Sequence, residues 1–289
     1  MKKIALMTNY NIPEKLSAAD AVAKRIGDRA EQIMIPVNFK ERILRNRLHK
    51  SNYAYRSLDE IYSEAELVIV IGGDGSMLES ARRAAPKGIP VLGINMGRIG
   101  YMAELELDEL ELIDRVFAGE YYLDERAMLS VEIISSKGQV KFRAEALNEA
   151  VIANGAAARI VDLELSDGDQ LVNTYRADGL VIATPTGSTA YSLSAGGPIV
   201  DPKLSCFCVT PVCPHSLLAR PLIFPDTAEL TVKNVCVREK VLHLTVDGRA
   251  TFEMFHGDCA RITKSHTRAK LLRVKDGGFC SKIRLNKLL

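Results

Sequence analysis

Short apolar runs and helix-spaced apolar positions alternate along the first hundred residues, the pattern of a parallel sheet covered by helices. Ile4 to Met7 predicts a first strand. From Pro13 onward Leu16, Ala19, Val22, Ala23 and Ile26 recur at helical spacing, with Pro13 suited to a first turn and Gly27 to an end, so a crossover helix is expected there. Ile33 to Val37 predicts a second strand. Leu67 to Ile71 is apolar at every position, as in a strand buried on both faces, and Gly72 and Gly73 stop it. Ser76 to Ala85 follows as a helix and Ile89 to Ile94 as a further strand, ahead of a turn around Gly97 and Gly100.

Between Asp108 and Gly119 an acidic helix is expected, because Asp108 and Glu111 have capping-box spacing and Gly119 sits where a C-terminal glycine belongs. Beyond it the texture changes to short β-rich segments parted by Lys137-Gly138, Asp167-Gly168, Asp247-Gly248 and Gly257-Asp258. The fold class is therefore α/β followed by mostly β. No internal repeat interrupts it.

The length of 289 residues suits one large domain or two modest ones. Hydrophobic residues at 47% and charged residues at 26% exclude disorder as the main state. With 38 basic against 36 acidic residues there is no global field to draw nucleic acid or an anionic membrane. A bilayer span needs about 20 apolar residues, far more than the longest run here. Met1-Lys2-Lys3 starts like a signal peptide, but Asn9, Asn11, Glu14 and Lys15 break the apolar stretch, so a cytoplasmic protein is expected. The six cysteines are too few and irregular for a disulfide framework and read as reduced.

Lys40 to Arg56 carries six cations against Glu41, with Tyr53 and Tyr55 interleaved. It reads as a solvated helix followed by a loop; a nucleic-acid arm and a cationic hold on polyphosphate are the sharper alternatives. Cys206-x-Cys208 with Cys213-x-His215 departs from zinc-site spacing.

Three segments carry candidate chemistry. Gly72-Gly73-Asp74-Gly75-Ser76 joins a strand to a helix, where glycines admit a ligand to the backbone and helix N-terminal N–H groups point at phosphate. It matches neither the P-loop nor the common dinucleotide fingerprint. Asp74 in that turn suits a base that accepts a hydroxyl proton, a group that engages a metal carried by phosphates, or a cap on the next helix. The segment from Arg176 to Pro198 passes from an acidic turn through a short apolar strand into small and hydroxylated residues, which suggests close backbone approach to a ligand. Ser188 within it lacks the nucleophile-elbow pattern. Asn148-Glu149 is either a solvent-facing turn or, if buried, a pair able to read an adenine edge and accept from ribose hydroxyls.

Taken together these blocks resemble the NAD kinase family, bacterial type. The resemblance spans most of the chain. Its marks are Gly72-Gly73-Asp74-Gly75, Gly97-Arg98-Ile99-Gly100-Tyr101-Met102, Asn148-Glu149, Asp178-Gly179, and the block from Thr184 to Ser192. Gly196-Gly197-Pro198-Ile199-Val200, Pro214-His215-Ser216-Leu217, Arg220-Pro221-Leu222 and Val246-Asp247-Gly248 follow. The Thr-Pro-Thr-Gly-Ser-Thr-Ala-Tyr run together with Asn-Glu is the specific part, whereas diacylglycerol and sphingosine kinases resemble the glycine turn and phosphofructokinases have a related loop.

The resemblance implies a Rossmann-like domain over 1–122, rejoined by a tail at about 267–289, and a β-rich, sandwich-like domain over 123–266. It implies phosphorylation of NAD at the adenosine ribose 2'-hydroxyl by ATP, or by polyphosphate in some members, with Mg2+. Asp74 would accept the proton, and Gly72, Gly73 and Gly75 would form the donor loop. Gly75, Tyr101, Asn148, Glu149, Thr186, Thr189, Ala190, Tyr191, Ser192, Leu193 and Ser194 would line the NAD. Arg159 would also contact ligand. Arg176 and Asp178 would reach the other half of the NAD or a neighbouring subunit's ligand in a homodimer or homotetramer. Arg249 stands where many relatives have Gln, and its charge suits a phosphate. A catalytically silent dinucleotide sensor and a lipid or sugar kinase of the wider superfamily are the competing readings; the intact Asp74 opposes the first, and the polar Asn148-Glu149 and Thr186 to Ser194 groups oppose a lipid acceptor.

Overall fold

In the computed structural model, which describes residues 2–96, 100–155, 160–237, 241–277 and 279, the apolar runs of the first hundred residues lie side by side as strands. The chain forms two compact units, Met1–Glu125 with Arg268–Leu289, and Arg126–Thr267. The first unit alternates β1 (Lys3–Met7), α1 (Pro13–Ile26), β2 (Gln32–Pro36), α2 (Lys40–Arg45), β3 (Tyr53–Arg56), α3 (Leu58–Glu64), β4 (Leu67–Gly72), α4 (Asp74–Ala84), β5 (Pro90–Asn95) and α5 (Ile113–Ala118). Its parallel strands run in the order β3-β2-β1-β4-β5. Lys270 and Leu271 add a parallel pairing to Pro90 and Val91. All six residues of β4 are buried, as its unbroken apolar run requires at the centre of a helix-covered sheet. Around it Ile4, Leu6, Val22, Ile26, Ile33 and Ile69 form the core, each worth about 1.5–3 kcal/mol of transfer free energy.

Three local expectations change. The basic stretch is not helix and loop alone: Tyr53–Arg56 is a strand, with Tyr53 opposite Ile33 and Tyr55 opposite Ile35. The two tyrosines alternate with period two and pack their rings against the core, so what reads as aromatic interleaving in a cationic arm is strand alternation. The acidic helix is delayed, because Glu106 and Glu109, not Asp108 and Glu111, close the capping box. Leu107–Leu112 is accordingly a 3-10 helix, and α5 starts only at Ile113, ending on left-handed Gly119 as expected. The helix after β4 starts two residues early, at Asp74.

The second unit is built on strands: β6 (Tyr122–Ile134, entering from the first unit), β7 (Val140–Ala146), β8 (Glu149–Ala153), β9 (Val161–Asp167), β10 (Gln170–Ala177), β11 (Gly179–Ala183), the single turn α6 (Tyr191–Ser194), β12 (Cys206–Val212), β13 (Leu222–Pro225), β14 (Leu230–Asn234), β15 (Val241–Val246), β16 (Ala250–Phe255) and β17 (Cys259–Arg273). One antiparallel sheet runs β13-β12-β11-β8-β15-β16. The other runs β10-β9-β14-β17, with β6 joining β17 to β7. Burial alternates along β9 and β15, as expected where one face of an antiparallel strand meets the core. Leu129, Leu163, Leu180, Phe207, Leu230 and Leu244 fill that core. The β15–β16 hairpin turns on Asp247 and Gly248, both left-handed at φ 49° and 68°. Left-handed residues at these two positions match the strand twist and favour an Asp-Gly pair, and Arg249 is the third residue of the loop, its N–H closing on the Val246 carbonyl. Among the described residues no helix is long and apolar enough to cross a membrane.

Candidate functional site

The strand-to-helix turn of the first unit follows from its glycines. Gly73 is the extended N-cap of α4 and contributes no side chain, and Asp74 is the first helical residue. The Asp74 carboxylate does not cap the helix. It turns towards residues 100–102, where the Tyr101 N–H donates to Oδ2 at 2.9 Å and the Met102 N–H to Oδ1 at 3.0 Å. A Cβ on Gly100 would stand 2.6 Å from Oδ1, so any larger residue there would push the carboxylate out of this position. Each Asp74 oxygen uses one lone pair on these amides and keeps another for a ligand. Arg273, 3% exposed, holds the far side of the segment, donating to the Met102 carbonyl, Glu104 and Asp124. Gly97, Arg98 and Ile99 lie outside the described residues.

In the second unit Asn148 and Glu149 sit where β8 begins, and the main chain around them is fully engaged. The Leu147 N–H donates to Asp247 Oδ2, and those of Asn148 and Glu149 donate to Oδ1. Thr184 donates its hydroxyl to the Leu147 carbonyl at 2.6 Å and its N–H to that of Asn148 at 2.9 Å. The Asp247 N–H closes on the Glu149 carbonyl at 3.0 Å. A Cβ on Gly187 would lie 2.1 Å from the Asn148 carbonyl oxygen, so the hydroxyl-rich segment packs backbone to backbone here.

The side chains are left partly unspent. Asn148 Oδ1 and Glu149 Oε2 are buried without a hydrogen-bond partner. Burial, then the neighbouring Asp247 charge, pushes the Glu149 carboxyl up to about 7, against an opposing hydrogen bond from the Tyr191 backbone. Two buried oxygens held by a rigid backbone and lacking donors suit a ligand that brings hydroxyl or amino groups.

The remaining residues divide. Thr186 accepts from Arg126 Nη1 at 3.2 Å, and Thr189 donates back to the Thr186 carbonyl. Ala190 leads into α6, whose Tyr191 is 44% exposed and whose Leu193 and Ser194 follow along the turn. Ser192 is buried and paired with Thr210. Ser188 is buried too, donating to the Pro185 carbonyl and accepting from Val200, so its hydroxyl is structural. Arg176 and Asp178 belong elsewhere: Asp178 precedes Gly179, which pairs with Ala153, whereas Ala183 at the other end of β11 pairs with Glu149. The length of β11 separates them from the Asn148–Glu149 pair by on the order of 15 Å. Arg176 instead lines a concavity of about 280 Å³ with Asn173, Tyr175, Pro214 and Leu218. Arg249 is exposed on its turn, and Arg159 lies outside the described residues.

Cys206 and Cys208 are buried on β12 against Val181, Ala183 and Val200, and burial raises both thiols, Cys208 to about 12. Protonated thiols are poor ligands. Among the described residues no group of three or more His, Cys, Asp or Glu is placed to hold a metal ion. Sequence reasoning placed Gly100 in a turn and a motif but not against Asp74, and it missed Arg126, Asp247 as a ligand of the main chain, and Arg273. The Asp-Gly turn signal located Asp247 but not its target.

Residues 4–121 match the family model of the ATP-NAD kinase N-terminal domain, and residues 147–274 that of the C-terminal domain. Both are halves of one kind of enzyme, a two-domain phosphotransferase acting on a nucleotide cofactor. The chain is 35% identical over 285 residues to an NAD kinase of Geobacter sp. strain M21, covering 98% of this chain and 97% of the relative. It is 43% identical over 223 residues to an NAD kinase of Moorella thermoacetica, covering 76% and 70% respectively. The chain belongs to the NAD kinase family. Two crystal structures share its fold: yeast NADH kinase complexed with NADH, with a TM-score of 0.89 at 23% identity over 98% of this chain and 86% of that one, and an Archaeoglobus fulgidus NAD kinase in complex with ATP, with a TM-score of 0.71 at 24% identity over 98% of each.

Proposed function

We propose that this NAD kinase moves the γ-phosphoryl of ATP to the 2'-hydroxyl of the adenosine ribose of NAD, giving NADP and ADP. The observation that carries this reading is the pair of unpartnered acceptors, Asn148 Oδ1 and Glu149 Oε2, on a backbone with no freedom to satisfy them itself. An adenosine supplies the matching donors in its amino group and ribose hydroxyls. Thr186, Thr189, Ala190, Tyr191, Ser192, Leu193 and Ser194 would also line the NAD, as would Gly75 and Tyr101. Arg176 and Asp178, a strand length away, would then meet the other half of the NAD or the ligand of a neighbouring copy in a homodimer or homotetramer.

Phosphoryl transfer through a loose transition state needs positioning and charge neutralisation more than covalent chemistry. Asp74 takes the 2'-hydroxyl proton as the new O–P bond forms and the bond to the leaving ADP breaks. Its two amide donors fix the carboxylate without filling it, so each oxygen keeps a lone pair. A divalent cation such as Mg2+ fits this donor set, because magnesium binds through one or two carboxylates together with the substrate's phosphates. When bound it would neutralise charge on the transferring group.

The test is NADP formation by the purified chain from NAD, Mg2+ and ATP, read with an NADP-specific dehydrogenase, beside a reaction with polyphosphate as donor. Asp74→Asn should cost at least about a hundredfold in turnover, the low end of a positioned base's contribution, while its NH2 group opposes one of the two amide donors and lowers the melting temperature by only a few degrees. Near-parental turnover in that variant would remove Asp74 from the role.

A further inference from the structure

The β15–β16 turn does more than reverse the chain. Its Asp247 carboxylate accepts all three consecutive N–H groups of Leu147, Asn148 and Glu149, at 2.9, 2.8 and 3.1 Å, across about a hundred residues of sequence. A carboxylate is suited to this: it has two equivalent oxygens and no donor, and its charge strengthens each bond. An amide in its place has one acceptor oxygen, and its NH2 group opposes one of the three donors. The left-handed Asp247 opens the three-residue turn with Gly248 and Arg249, closed by the Arg249 N–H on the Val246 carbonyl, so the carboxylate stands on a hairpin turn.

We propose that Asp247 is the positioning residue of the acceptor site, holding Asn148 and Glu149 so that their two unpartnered oxygens face the donor groups of the NAD adenosine. This rests on the reading of Asn148 and Glu149 as the NAD-contacting pair. Asp247 acts through them and touches neither substrate. It also acts on Glu149 by charge: of the elements packed around that side chain, the hairpin turn brings the Asp247 carboxylate, α6 brings the uncharged Tyr191 N–H, and β11 brings Ala183. The ionised Glu149 offers both oxygens as acceptors only, whereas the protonated form carries a donor on one of them, so NAD should bind more tightly as the pH rises through the Glu149 midpoint.

The experiment titrates the Glu149 carboxyl by carbon-13 NMR in the full-length chain without NAD, with the resonance assigned by its loss in Glu149→Gln. Binding of NAD by calorimetry at several pH values, and kcat and KM, are measured on the same samples. In the parent the midpoint should fall near 7. In Asp247→Asn it should move down, carrying the pH dependence of NAD binding with it, while KM for NAD rises about tenfold or more and kcat changes little. A merely structural residue would lower the melting temperature and leave the midpoint in place. An unmoved midpoint with parental NAD affinity in Asp247→Asn overturns the proposal. If that variant does not fold, Asp247→Ser is read in the same way: a midpoint and an NAD affinity at the parental values overturn the proposal, and a lowered midpoint with weakened NAD binding supports it. Parental NAD binding in both Asn148→Ala and Glu149→Gln would instead defeat the acceptor assignment, a result separable from the ligand-free titration.

Discussion

Glu149 and Gly100 show at the residue scale how the site trades stability for binding. The Glu149 carboxyl titrates near 7 in the folded chain against an ordinary 4.5, burial being the larger cause. Its sign follows from linkage. Below pH 4.5 both folded and unfolded chains hold the proton; between 4.5 and 7 the unfolded chain releases it first, so stability falls; above 7 the whole loss is present. Glu149→Gln removes that loss and should stabilise the ligand-free chain at pH 8 by on the order of 2–4 kcal/mol, with little gain at pH 4.5, while weakening NAD binding. Chemical denaturation at the two pH values checks it. At Gly100 a methyl group would meet the Asp74 carboxylate, so Gly100→Ala should displace Asp74 and lower kcat at least about tenfold, given the sensitivity of catalysis to ångström misplacement. A parental kcat would show that the carboxylate position is not critical.

At the scale of the element, local chemistry decides where structure starts. Ser57 and Glu60 close a reciprocal capping box at the start of α3, with the Glu60 N–H donating to Ser57 Oγ and the Ser57 N–H to the Glu60 carboxylate. Ser57→Ala should cost about 0.5–2 kcal/mol without altering turnover, since α3 lies outside the candidate site. Thermal unfolding and the NADP assay read the two effects separately. The capping box at Glu106 and Glu109 shows the limit of such signals: two acidic spacings competed in that segment, and the extended backbone of Glu106 selected one. Tyr53–Arg56 shows another, because four residues of strand become visible only once β2 is beside them.

Within the first unit as a whole, one buried cation ties together segments distant in sequence. Arg273 joins Glu104, 169 residues away, with both side chains 4% exposed, and also reaches Asp124 and the Met102 carbonyl. Arg273→Met takes from the buried Glu104 its guanidinium partner, leaving the Val274 and Lys275 N–H groups, and should destabilise the chain by about 3–5 kcal/mol, as measured by denaturant unfolding. A loss below about 1 kcal/mol would mean that the neighbouring backbone donors suffice for Glu104. The sequence by itself determined the strand–helix alternation of the first unit, its all-buried central strand, the glycine turn bearing Asp74 and the Asp-Gly hairpin. Each is written in local periodicity or in residues with special backbone freedom, and the ordered motif blocks place the chain in its family. Only the tertiary structure decided that Asp247 would bind the main chain at 147–149, that Gly100 would lie against Asp74, and that Arg273 would brace the segment behind it. Those contacts join residues tens to more than a hundred positions apart, and local periodicity is blind to pairings that only the folded chain brings together.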